Sequence, residues 1–214
     1  FTQILPQQVE QDWKTIFEKS EFVSTPDYNE TMDYFQKLAD NSDYAEFLTF
    51  GLSPQGRELK YLLVSKEYEI LNQSVRKESI NPTLFIINGI HSGEIEGKDA
   101  SMILLREILI TKEREYLLDN LNIIVIPIFS VDGHERICKY NRINQNGPEE
   151  MGWRATAQNL NLNRDWMKAE TLEMQAMLKL VNSYLPDFVI DTHTTDGADY
   201  QYTVTYSVEW SKNI

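Results

Sequence analysis

Read as a pattern of apolar and polar positions, the chain changes character near residue 80. Before that point polar residues dominate. Residues 1–28 carry scattered aromatics (Trp13, Phe17, Phe22) and read as a leader wrapped over a surface. Asn29 is placed to cap a helix running to about Ala39, with Met32, Phe35 and Leu38 on one face. Glu46–Gly51 and Arg57–Ser65 alternate as strands around the turn residues Ser53-Pro54-Gln55-Gly56. After residue 80 the apolar positions gather into short runs. Thr83–Asn88 and Leu121–Phe129 have the length and near-continuous apolarity of strands buried on both faces. Between them Ala100, Ile103, Leu104 and Ile108 recur at helical spacing and predict a helix from about Glu96 to Ile110. Met174, Met177, Leu178 and Val181 predict another from about Glu170 to Tyr184, and Phe188–Thr192 and Tyr200–Tyr206 read as further strands.

Strands alternating with helices imply an α/β fold, here a mixed, largely parallel twisted sheet with helices on both faces. In such folds ligands gather where strands end in loops. The polar, Asn- and Gly-rich stretch 130–168 is long for a connection in a compact domain, and loops of that length are usually functional.

Composition narrows the chemistry. A formal charge of −13 argues against general attraction to nucleic acid or anionic lipid. No apolar run reaches the length of a membrane span, so no membrane partner is expected. Cys138 is the only cysteine, which excludes an internal disulfide and a thiolate zinc site, so any metal must take nitrogen and oxygen ligands. We read Cys138 as an inert thiol.

Candidate chemistry falls where the strands end. His91-Ser92-Gly93-Glu94 follows a buried strand on a Gly-containing turn and can aim an imidazole and a carboxylate at one point. Of the two other histidines, His193 closes the strand 188–192 and is the better third ligand, whereas His134 reads as a loop or supporting residue. Asp191, Asp196 and Asp199 around His193 can orient the imidazole or close a calcium-like site, but read first as ordinary turn residues. Arg154, in Gly152-Trp153-Arg154, and Arg164, in Asn161-Leu162-Asn163-Arg164-Asp165-Trp166, can bind carboxylates or an oxyanion.

Taken in order, His91-x-x-Glu94, Val131-Asp132-Gly133, Arg154, Asn163-Arg164 and His193 resemble the zinc metallocarboxypeptidases of the carboxypeptidase A and B type (the funnelins), over about residues 29–206. The resemblance implies that His91, Glu94 and His193 hold one Zn2+. It implies that Arg154 polarises the scissile carbonyl, and that Asn163 and Arg164 grip the carboxylate of a peptide or protein C-terminus. It also implies an α/β/α sandwich and an extracellular or periplasmic location, with which the first residue, Phe1, is consistent.

Two departures stand out. The family has an Asp two positions before the Asn-Arg pair, as partner of a zinc histidine; here that position is Asn161. The family's catalytic glutamate and substrate-covering tyrosine lie well downstream of the third ligand, beyond Ile214. The expectation is therefore a leader (1–28) and the N-terminal, larger part of a catalytic domain (29–214), C-terminally incomplete, inactive alone and marginal or oligomeric. Alternatives are a zinc amide deacylase of the aspartoacylase and succinylglutamate-desuccinylase type, or a non-catalytic zinc or peptide-end binding module. The helix segment Tyr28 to Met32 favours the peptidase side.

Overall fold

A computed structural model describes residues 12–67, 79–195 and 197–208. Asp196 lies outside the described residues. Five strands, β1 (Ala45–Leu52), β2 (Glu58–Val64), β3 (Thr83–Ile87), β4 (Asn122–Ile126) and β5 (Phe188–Asp191), form one sheet in the order β1-β2-β4-β3-β5. The sheet is mixed, as the pattern predicts. β1–β2 and β2–β4 are antiparallel, while β4–β3 and β3–β5 are parallel. The parallel part is the half that carries the candidate site.

Among the described residues five helices accompany the sheet: α1 (Ile16–Lys19), α2 (Tyr28–Asp40), α3 (Glu96–Leu109), α4 (Val131–His134) and α5 (Leu172–Tyr184). Strand alternation divides the apolar residues between two faces. Leu62, Val64, Ile86, Ile123 and Val125 pack with Phe35 and Leu38 of α2 and with Met102, Leu105 and Ile108 of α3. Leu63, Phe85, Ile87, Ile124 and Ile126 pack with Met174, Met177 and Leu180 of α5. Helices therefore cover both faces, which is why β3 and β4 read as continuous apolar runs.

The structure corrects three local readings. The cap of α2 is Asp27, not Asn29: its side chain accepts from the backbone N–H of Glu30, and Glu30 returns a bond to the Asp27 N–H. The predicted strand Tyr200–Tyr206 does not form, and Tyr200, Tyr202 and Tyr206 are all exposed. Alternation supplies a strand with a face, but a strand also needs a neighbour to bond. The leader is not wholly peripheral, because Trp13 is buried in the α2–α3 core cluster and stacks edge-on against Tyr34.

Among the described residues β5 is an edge strand, bonded to β3, and leaves Phe188, Val189 and Ile190 substantially exposed.

Candidate metal centre

β3 delivers the first two site residues. After Ile87 the chain turns through Asn88 and Gly89, whose φ of +63° favours glycine. Asn88 is fully buried and its amide donates to Ser101 Oγ and to the Ile126 carbonyl, tying the end of β3 to α3 and β4. Its oxygen accepts from Thr192 Oγ1, which ties it to the end of β5 as well. His91 and Glu94 follow on a turn closed by the Glu94 N–H on the His91 carbonyl, and both are buried. β5 delivers His193 alongside, since parallel pairing of Ile87 with Asp191 brings the two carboxyl ends together.

His91, Glu94 and His193 each present one ligand atom, all within 4.8 Å of one another. The two imidazole rings lie 5.4 Å apart. Glu94 Oε2 accepts from the Thr194 N–H at 2.9 Å and faces His193 Nδ1 at 3.1 Å. Oε1 accepts from Arg142 at 2.8 Å, with Arg154 farther off at 3.5 Å. Behind His193, Asp191 Oδ2 stands 3.1 Å from Nε2.

The electrostatics fit a cation site. Burial pushes the Glu94 carboxyl up, but its bonds to His193, Thr194 and Arg142 outweigh this and hold it at about 2. Hydrogen bonds to the Asp191 and Glu94 carboxylates raise His193 to about 9. Burial lowers His91 to about 4, which leaves it neutral near pH 7 with a lone pair to offer. Its Nδ1 is buried and makes no well-formed hydrogen bond, an unsatisfied polar atom that a metal ion would satisfy. Two imidazoles and a carboxylate are the donor set zinc takes in catalytic sites, leaving a coordination position open. The residues present fit the ion.

The remaining candidates fall into place around this centre. Arg154 is partly exposed and reaches toward Glu94. Asn163 lies with its amide 3.3 Å from His91 Nε2. Arg164 is exposed on the short 3-10 turn Leu162–Arg164 and donates to the Asn163 carbonyl. Asn161 does not orient a ligand histidine; its side chain accepts from the Asn163 N–H and caps the turn. With Asn161 engaged in the turn, Asn163 faces His91 instead. Asp132 is structural: fully buried, it accepts from Ser53, Gln55 and Arg57 and pins the β1–β2 turn. His134 lies outside the triad, bonded to Glu135 and Lys98.

One residue at the centre escapes the sequence reading, and another is placed by the structure. Of the two roles open to Asp191, turn residue or orienter of the imidazole, its contact with His193 supports the second, since positions i and i+2 of an extended segment share a face. Arg142, buried against Glu94, carries no local signal in its polar loop.

A mixed α/β fold with a His-Glu-His group at the carboxyl ends of neighbouring parallel strands defines a class of candidate metal-binding α/β proteins. Within that class, the sequence profile described as zinc carboxypeptidase matches residues 31–209, and the chain belongs to the zinc carboxypeptidase family. Solved structures share the fold. A metallo-carboxypeptidase from Burkholderia cenocepacia aligns with a TM-score of 0.62 at 18% identity, covering 81% of this chain and 42% of that one. Carboxypeptidase A from Helicoverpa armigera aligns at 0.60 and 20% identity, covering 79% and 46%. A metallo-carboxypeptidase from Pseudomonas aeruginosa, in complex with (2-guanidinoethylmercapto)succinic acid, aligns at 0.60 and 19% identity, covering 80% and 40%. The chain thus spans less than half the length of these relatives. No curated protein sequence matches it significantly.

Proposed function

We propose that the protein hydrolyses the C-terminal peptide bond of peptides in a zinc-dependent reaction. The observation that carries this reading is the convergence of His91, Glu94 and His193, whose ligand atoms lie within 4.8 Å of one another, with Arg154 and Asn163 at the same centre. When bound, zinc supplies a Lewis acid and brings the pKa of a water ligand to about 7.

The chain's own residues divide the remaining work. His91 and His193 offer neutral nitrogens, the latter after its proton is displaced. Asp191 orients His193 and accepts its Nε2–H, while the side-chain amide nitrogen of Asn163 stands 3.3 Å from Nε2 of His91. Arg154 holds the scissile carbonyl oxygen as negative charge develops on it. Asn163 and Arg164 grip the carboxylate of the chain end, a geometry the planar fork of Arg suits. The Pseudomonas aeruginosa relative, solved with a succinic acid derivative, supports carboxylate recognition on this fold.

The proton-transferring carboxylate that the resemblance implies has no counterpart in these 214 residues, so the chain alone is expected to bind zinc without turning over peptide. The test is release of C-terminal residues by the natural full-length protein. Arg154→Ala should lower kcat by about 100- to 1,000-fold with zinc content unchanged. Hydrolysis of N-acyl amino acids in place of peptides would transfer the assignment to the deacylases.

A further inference from the structure

Glu94 is almost completely buried, and both of its oxygens are engaged before any metal arrives. One turn of the long loop accounts for both engagements. Arg142, with a side chain only 4% exposed, donates from Nη2 to Oε1 at 2.8 Å. Three residues on, Gln145 bonds to the Arg142 carbonyl through its N–H and to Thr194 Oγ1 through its side-chain amide. The N–H of Thr194 in turn holds Oε2. The path to Glu94 is kept open by Gly93, where a Cβ would lie 2.8 Å from Arg142 Cγ and 3.1 Å from Cδ.

We propose that Arg142 is a positioning residue of the metal centre: the resident counter-ion of Glu94, holding Oε1 so that Oε2 alone is presented to the cation, and keeping the site assembled when no cation is bound. This rests on the zinc reading above and deepens it. The charge argument is direct. A buried carboxylate stripped of its partner is strongly destabilising, whereas a second cation at the same carboxylate makes the first partly redundant. Arg142 also separates the roles of two arginines. It occupies Oε1 from the protein interior at 2.8 Å, while Arg154, at 3.5 Å and 38% exposed, approaches from the open side where substrate must enter. Without Arg142, Arg154 is the next cation in reach of Oε1 and would be drawn inward.

The test compares thermal unfolding of the parent chain, Arg142→Met, Glu94→Gln and the double variant, each metal-free and with saturating zinc. In metal-free protein Arg142→Met should lower Tm by roughly 10 °C. In the Glu94→Gln background the same substitution should cost only a small part of that. Zinc should raise the Tm of Arg142→Met by more than it raises that of the parent, and Arg142→Lys should recover part of the loss. If Arg142→Met fails to fold, Arg142→Lys and Arg142→Gln complete the same cycle. An equal loss with and without the Glu94 carboxylate, or an equal zinc response in parent and variant, would show that Arg142 acts through packing and overturn the proposal. A parent chain whose Tm ignores zinc would overturn the zinc reading instead, while the coupling in metal-free protein still decides the pairing.

Discussion

Two histidine clusters in this molecule use the same side-chain chemistry to opposite ends. In the first, His91 and His193 converge on Glu94, and one buried ring nitrogen is left without a hydrogen bond. In the second, His134 has both nitrogens engaged. Nδ1 pairs with Glu135 at 2.9 Å and Nε2 meets Lys98 at 3.1 Å. Lys98 itself is fully buried and also donates to the Pro26 carbonyl, while Glu135 accepts from the Tyr28 N–H. The second cluster is thus a closed network that fastens the segment around Pro26 to α3 and α4. An unpaired nitrogen separates His91 from His134, whereas His193 has both nitrogens engaged, one by Glu94 and one by Asp191.

The sharpest way to break this comparison is to measure zinc. His91→Ala or His193→Ala should take the metal content from about one ion per chain to near none, whereas His134→Ala should leave it unchanged, by elemental analysis of dialysed protein. Zinc lost on removing His134 would mean that the clusters are not separate.

The next effect is on stability alone. Lys98→Met leaves the Pro26 carbonyl and His134 Nε2 without their donor in a buried setting, at a cost of about 3 kcal/mol. Urea unfolding of the metal-free chain should show this loss while zinc stoichiometry stays the same.

The smallest effect is in pH dependence. Burial holds His134 at about 4, below its usual 6.5. As pH falls through that interval, the unfolded chain takes up a proton that the folded chain refuses, and stability declines. Asp99 works the other way, since burial raises it to about 6 and its folded carboxyl is protonated first. His134→Gln should therefore lose less stability than the parent between pH 7 and pH 5, by up to about 2 kcal/mol. Identical slopes would place the proton uptake elsewhere.

Much of this was legible in the sequence because it rests on periodicity. The two-sided burial of β3 and β4 and the apolar faces of α2, α3 and α5 follow from residues such as Phe35, Ile86 and Met177 acting locally. His91, Glu94 and His193 were legible because strand ends carry them. Arg142 was not, because a buried ion pair between a loop and a turn 48 positions away leaves no periodic trace. Asp27 and Glu30 spell a capping box, which sets the cap two positions before Asn29. The tyrosines at 200, 202 and 206 show that alternation without a bonding neighbour predicts nothing.

The exposed edge strand β5 acquires a different meaning once the centre is considered as a cross-link. Glu94 and His193 are 99 positions apart, and the strand bearing His193 is held on one side only. An ion shared by both ends closes a loop of that size; for a covalent link the corresponding entropy is about 4.7 kcal/mol. The unfolded chain can offer only the local His91 and Glu94 pair. A metal held there would act as a clasp on β5, and its removal should loosen that strand first.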